Sequence, residues 1–223
     1  MDSNTLSLKR LTIISGHYGS GKTNIAVNLA LKLAKTKKND ALADLDIVNP
    51  YFRSKDSQNG LEKAGIRLIC SEYANTNIDI PALPQEMYAL TDDKSLTAVL
   101  DIGGDDRGAL VLGRLAEKIK AENDYEMLMV VNKFRPETRT PELAIEIMRE
   151  IEFACKIKFT GIINNSNLGV ETDENCIVSS MSYADEIAKL TGIPVVMTTV
   201  NEAVDINSEI PDLFRLKLQE KYF

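Results

Sequence analysis

Gly16-His17-Tyr18-Gly19-Ser20-Gly21-Lys22-Thr23 has the spacing G-x-x-x-x-G-K-[ST]. That spacing suits the wrapping of a phosphate chain. Glycines admit backbone conformations closed to other residues, so successive N–H groups can point at phosphate oxygens. A helix N-terminus directly after the loop adds a favourable dipole. The lysine neutralises β- and γ-phosphate charge, and the hydroxyl that follows it binds Mg²⁺; Lys22 and Thr23 hold those two positions. A Gly-rich turn with a solvated lysine has a similar composition. Context favours the phosphate loop: an apolar strand over 11–15 precedes it and an amphipathic helix opens at Lys22.

Three carboxylates fall where such a loop would use them. Asp44 and Asp46 lie two apart at the end of a short strand, so on an extended segment they point the same way. Asp101 ends the apolar run Leu96-Thr97-Ala98-Val99-Leu100, and an acid at the end of a buried strand is the Walker B arrangement, which holds magnesium directly or through water. Gly103-Gly104 follow, as a backbone close to a γ-phosphate requires. Asx-turn chemistry accounts equally for an aspartate ending a strand, and Asn49-Pro50 is further turn chemistry. The metal-ligand candidates are Thr23, Asp44 and Asp101.

The elements that must position these groups alternate along the chain. Strands are predicted over 11–15, 41–44, 66–70, 96–102, 125–132, 159–164 and 193–199. Helices are predicted from 22 to about 37, near 61–64, over 85–90 and 107–121, from Pro141 with Thr140 as N-cap, over 180–190, and over 210–222 as a closing helix. In the first helix, Ile25, Ala26, Leu29, Ala30 and Leu33 form one buried stripe. Near-continuous apolar strands alternating with helices predict an α/β chain: a single domain over 1–223, doubly wound, with a mostly parallel sheet and helices on both faces. Ligands in such sheets bind at the C-terminal strand ends, where Asn132 and Asn164 sit.

Gly21-Lys22-Thr23-Asn24-Ile25-Ala26-Val27-Asn28-Leu29-Ala30, with Leu33-Ala34 after it, resembles the MinD/ParA family of P-loop ATPases, which reads GKTT-x-A-x-NLA-x-x-LA there. Asn24 is the departure. Asp44-Leu45-Asp46 is similar to the family's D-x-D motif, with Asp46 following Lys22 by the family's usual 24 positions. Asp101-Ile102-Gly103-Gly104 is similar to its D-x-x-G, and the resemblance spans roughly residues 8–200. It implies Mg·ATP as ligand and Lys22 and Asp46 as catalytic residues, Asp46 orienting the attacking water and Asp44 serving the metal or a switch. Residues 51–53 then belong to a switch loop, and Asn164, in Gly161-Ile162-Ile163-Asn164-Asn165, reads the adenine with its amide. The loop residues Gly16, His17, Tyr18, Gly19, Ser20, Gly21, Lys22, Thr23 and Asn24 surround the phosphates. Asn132-Lys133 lacks the aspartate of the GTPase N-K-x-D pattern, which favours ATP.

The family's signature lysine, which reaches a partner's nucleotide across a dimer, is His17 in this chain, and the following glycine is Tyr18. An imidazolium could carry part of the lysine's charge; packing at the loop surface is the plainer alternative. A nucleotide-dependent homodimer is therefore a candidate assembly.

Composition narrows the classes. Hydrophobic residues make up 44% of the 223 and charged residues 26%, ordinary for a globular protein. Acidic residues outnumber basic ones by 33 to 26, for a net charge of −7, which disfavours a dedicated nucleic-acid binder. Cys70, Cys155 and Cys176 form no disulfide or metal spacing, which with the polar first ten residues fits a cytoplasmic protein. The C-terminal segment has balanced charge, so a helix capping the sheet fits better than a membrane anchor. Three activities follow: a slow ATPase acting as a switch; a P-loop transferase or kinase for a small metabolite, with Arg107, Arg135 or Arg139 holding an anion; and a nucleotide sensor without turnover.

Overall fold

The structure, a computed structural model, describes residues 8–34, 39–45, 58–70, 85–103 and 106–218. Their strands are β1 (Leu11–Ser15), β2 (Asp40–Asp44), β3 (Arg67–Cys70), β4 (Thr97–Asp101), β5 (Tyr125–Val131), β6 (Gly161–Asn164), β7 (Val195–Asn201) and β8 (Leu213–Leu216). They form one sheet in the order β3-β2-β4-β1-β5-β6-β7-β8, with every pair parallel. The helices are α1 (Lys22–Leu33), α2 (Gln58–Lys63), α3 (Gln85–Asp92), α4 (Asp106–Glu122), α5 (Pro141–Cys155) and α6 (Glu174–Thr191). No helix of the described residues is long and apolar enough to cross a membrane.

Successive strand residues face opposite sides of the sheet, and the core divides accordingly. Ile13, Leu100, Met127 and Met129 pack with Leu112 and Leu115 of α4 and Met148 and Ile151 of α5. Their neighbours Ile14, Val99, Leu128 and Val130 pack on the other face with Ile25, Ala26 and Leu29 of α1. Strands buried on both faces read as continuous apolar runs, which is the doubly wound pattern expected from the sequence. As predicted, Thr140 caps α5, its hydroxyl accepting from the Leu143 amide, with Pro141 in the first turn.

Two elements depart from expectation. The closing segment is a strand: Leu213–Leu216 pairs with β7 from Thr198↔Leu213 to Asn201↔Leu216. The apolar spacing there has period two, with Phe214 and Leu216 on the α1 side and Leu213 on the other. The edge is covered in part by α1, where the Asn28 amide donates to the Lys217 carbonyl at 2.9 Å and accepts from its N–H at 2.9 Å. Helix α6 also starts six residues before the predicted 180, because Asp173 caps it by accepting from the Cys176 amide at 2.8 Å.

At the end of the sheet away from the strand C-termini, buried Arg10 reaches the carbonyls of Leu90 and Leu96 and forms a two-point ion pair with Glu122, which Lys94 also contacts. The hydrogen-bonded Arg10 guanidinium holds the Glu122 carboxyl below its ordinary value. A lowered folded pKa means stability present above the unfolded value, about 4.3, and lost as pH falls through the folded value. Glu122→Gln is expected to lower stability at neutral pH by about 1.5–3 kcal/mol and to shrink the loss between neutral and acid pH, as read by urea unfolding at a series of pH values.

Candidate functional site

Strand β1 lies between β4 and β5, where the chain's winding reverses direction, so its C-terminal end opens a crevice. The phosphate loop fills that position. Gly16 has φ 150° and its α-carbon faces the Val130 backbone so closely that any side chain would collide with it. Gly21, at φ 92°, precedes the first helical residue, Lys22, and faces the Asn165 amide. Within the loop, Ser20 N donates to the His17 carbonyl at 3.2 Å. The nearly buried Lys22 crosses the loop, its Nζ donating to the same carbonyl at 3.1 Å. Ser15 Oγ, Ser20 Oγ and His17 Nδ1 are buried here with no hydrogen-bond partner among the described residues.

The three metal-ligand candidates come together. Asp44 and Asp101 are register partners at the ends of adjacent β2 and β4. Asp101, 2% exposed, accepts from the Thr23 hydroxyl at 2.6 Å. The Leu45 amide donates to the Asp101 carbonyl at 2.8 Å, tying the chain just before Asp46 to the same point. A hydroxyl and carboxylates are hard oxygen donors, the set Mg²⁺ takes when phosphate and water complete its shell, so these residues fit that ion. Asp46 and the switch-loop residues 51–53 lie outside the described residues.

A cavity of about 380 Å³ opens from the loop towards the ends of β6, β7 and β8, a volume in the range of small-molecule sites. Tyr18, Gly19, Gly21, Lys22, Thr23 and Asn24 line its loop side. Asn165, Asn167, Thr199 and Asn201 supply polar groups at the far side, with Leu216 and Leu218 as apolar wall. Tyr18 is exposed and stands at the rim.

Asn164 does not reach this cavity. Its amide is buried and satisfied internally, donating to Ser180 Oγ at 2.9 Å and accepting from Ser166 Oγ at 2.7 Å. Alternate residues of β6 face opposite sides, and the next side chain, Asn165, turns to the loop. Asn165 donates to the Ser20 carbonyl at 2.6 Å and accepts from Thr199 Oγ1 at 2.6 Å, joining β6, β7 and the phosphate loop. The Asn-Asn doublet in the sequence was the available signal; the strand register was needed to choose between its members.

Asn132 shapes the loop after β5. Its Oδ1 accepts from the Phe134 amide at 2.9 Å, and its carbonyl accepts from the Arg135 amide at 3.1 Å and Thr138 Oγ1 at 2.7 Å. Burial pushes the Tyr183 phenol pKa up; it stays protonated and donates to the Thr138 carbonyl at 2.6 Å. Arg135 and Arg139 are both exposed; Arg135 lines the cavity beside the phosphate loop and Arg139 does not.

The family model for the CobQ/CobB/MinD/ParA nucleotide binding domain matches residues 11–175. Among solved structures, the cell division protein FtsY from Thermotoga maritima is similar with a TM-score of 0.56 and 21% identity, covering 86% of this chain and 62% of its own. FtsY from Mycoplasma mycoides gives a TM-score of 0.54 and 19% identity over 90% of this chain and 63% of its own. Chloroplast FtsY from Physcomitrella patens gives 0.54 and 17% over 88% and 60%. The chain thus spans about three fifths of the length of these structures, and at such identities the likeness is one of fold, the P-loop NTPase α/β fold. Comparison with curated protein sequences finds no match.

Proposed function

We propose that this chain, which belongs to the CobQ/CobB/MinD/ParA nucleotide-binding family, is a Mg²⁺-dependent ATPase that works as a nucleotide-driven switch. The observation that carries the reading is the Thr23–Asp101 hydrogen bond, 2.6 Å, at the mouth of a phosphate loop that opens onto a ligand-sized cavity. It joins the loop hydroxyl to the carboxylate at the end of β4, the pair that holds Mg²⁺ in phosphoryl-transfer sites.

In this reading the loop amides and Lys22 bind the phosphate chain. Thr23 and Asp101 hold the metal, with Asp44 beside them. Magnesium, when bound, neutralises charge that develops on the phosphates. Asp46, two residues beyond Asp44, orients the attacking water. Asn165 keeps the loop in its binding shape, and Asn167 and Asn201, at the far side of the cavity, bring amide groups of the kind that donate to and accept from a base edge. Asn132-Lys133 lacks the aspartate of the GTPase N-K-x-D pattern, which supports ATP over GTP. His17, in place of the family's signature lysine, stands on the loop whose carbonyl receives Lys22.

The switch is tested by the solution mass of Asp46→Ala with and without Mg·ATP. Loss of the water-orienting acid traps the triphosphate state, and a mass that doubles only with Mg·ATP is the expected result. A protein that binds ATP yet keeps one mass would sink the dimer switch and bring the transferase and sensor readings forward.

A further inference from the structure

The phosphate loop carries Lys22 as its own cation, and a second cation stands over it from a different element. Arg135 follows β5, the strand paired with β1 from Leu11↔Tyr125 to Ser15↔Met129, so its loop leaves the sheet next to the phosphate loop. Its backbone is fixed on both sides, donating to the Asn132 carbonyl at 3.1 Å and accepting from the Thr138 amide at 3.1 Å, with a 3-10 turn over Pro136–Thr138. The Tyr183 hydroxyl anchors that turn from α6.

The side chain projects from this rigid base across Gly19. A methyl group built on Gly19 would lie 3.7 Å from Arg135 Cζ and 3.7 Å from Nε, so the guanidinium lies against the bare α-carbon. Gly19 has φ 72°, a conformation glycine takes without strain, and the guanidinium lies at van der Waals distance from where a β-carbon would stand. Among the described residues the Arg135 guanidinium has no ion pair and no hydrogen bond, unlike Arg10, Arg149 and Arg215. Lys133, two residues earlier, is already committed to the Ser179 carbonyl at 3.0 Å. Arg135 and Lys22 thus line one cavity from two sides, and the other described lining residues are uncharged. A guanidinium has a planar fork that matches phosphate oxygens, and such charges stabilise phosphoryl transfer when held at the site.

We propose that Arg135 contacts the phosphate chain of the bound nucleotide from within the same chain and acts as a catalytic residue there, supplying the second cation that the loop itself lacks. This rests on the reading of the cavity as a nucleoside triphosphate site. A cis cation also makes the hydrolytic site independent of a partner's side chain, so specific turnover is set by one chain.

The test uses the full chain and fluorescent ATP and ADP analogues, with Arg135→Ala, Arg135→Lys and Arg135→Gln beside the wild type. Arg135→Ala is expected to weaken triphosphate binding about tenfold and to lower turnover about 100-fold, with an unchanged melting temperature. Arg135→Lys is expected to recover most of the binding and little of the turnover, since a point charge replaces the fork. Arg135→Gln keeps part of the stem and reports the same loss should the alanine variant misfold. Wild-type turnover per chain is expected to stay constant as protein concentration is raised. Variants with wild-type affinity and turnover, while the wild type binds ATP, would overturn the role of Arg135 and leave the site reading standing. Wild-type protein that binds neither nucleotide would overturn both together.

Discussion

Lys22→Ala is expected to weaken nucleoside triphosphate binding by at least about 100-fold, equivalent to about 2.8 kcal/mol at 1.4 kcal/mol per decade. Lys22 is 4% exposed, and its ammonium is held across the loop by the His17 carbonyl, so the charge is in place before any ligand arrives. Ordering a long side chain costs conformational entropy, and the fold has already met that cost. An ammonium held among backbone N–H groups, on a helix N-terminus, adds full charge to a loop whose other groups contribute partial charges. Equilibrium binding of labelled ATP measures the effect, with a melting curve to show that the variant folds. Affinity within threefold of the wild type would remove the phosphate loop from the account.

Asp101→Asn is expected to abolish the gain in ATP affinity that Mg²⁺ brings and to lower turnover about 10³-fold. The substitution keeps the volume of a buried side chain and leaves an oxygen for the Thr23 hydroxyl, so the local packing survives. What goes is the negative charge next to Asp44, the partner of Asp101 in the β2–β4 register. An amide oxygen is a weaker ligand for a hard dication than a carboxylate. Turnover across a Mg²⁺ titration reads the result. A variant with the wild-type Mg²⁺ response would place the metal elsewhere.

The phosphate loop was legible because its chemistry is local. Gly16, Gly21, Lys22 and Thr23 act through spacing, the strand before is a short continuous apolar run, and the helix after carries an apolar stripe at period 3.6. The parallel sheet was legible for the same reason, since strands such as Leu11–Ser15 and Thr97–Asp101 are buried along their whole length. What escaped depends on contacts far apart in the chain. The last strand follows from pairing with β7 and from the Asn28 clamp on Lys217, and a short apolar segment with mixed spacing does not declare those partners. The choice between Asn164 and Asn165 turns on which side of β6 meets the loop at Ser20. Arg135 was one of three candidate anion-holding arginines, and only the position of β5 beside β1 sets it over Gly19.

The central claim is that this chain binds a magnesium nucleoside triphosphate in the cavity at the end of β1. Calorimetric titration of the wild-type protein with ATP, in Mg²⁺ and again in excess chelator, tests it most directly, with GTP titrated in parallel. The account predicts one site per chain, micromolar affinity for ATP in Mg²⁺, weaker binding without the metal, and weaker binding of GTP. Absence of saturable binding of either nucleotide at millimolar concentration would contradict it.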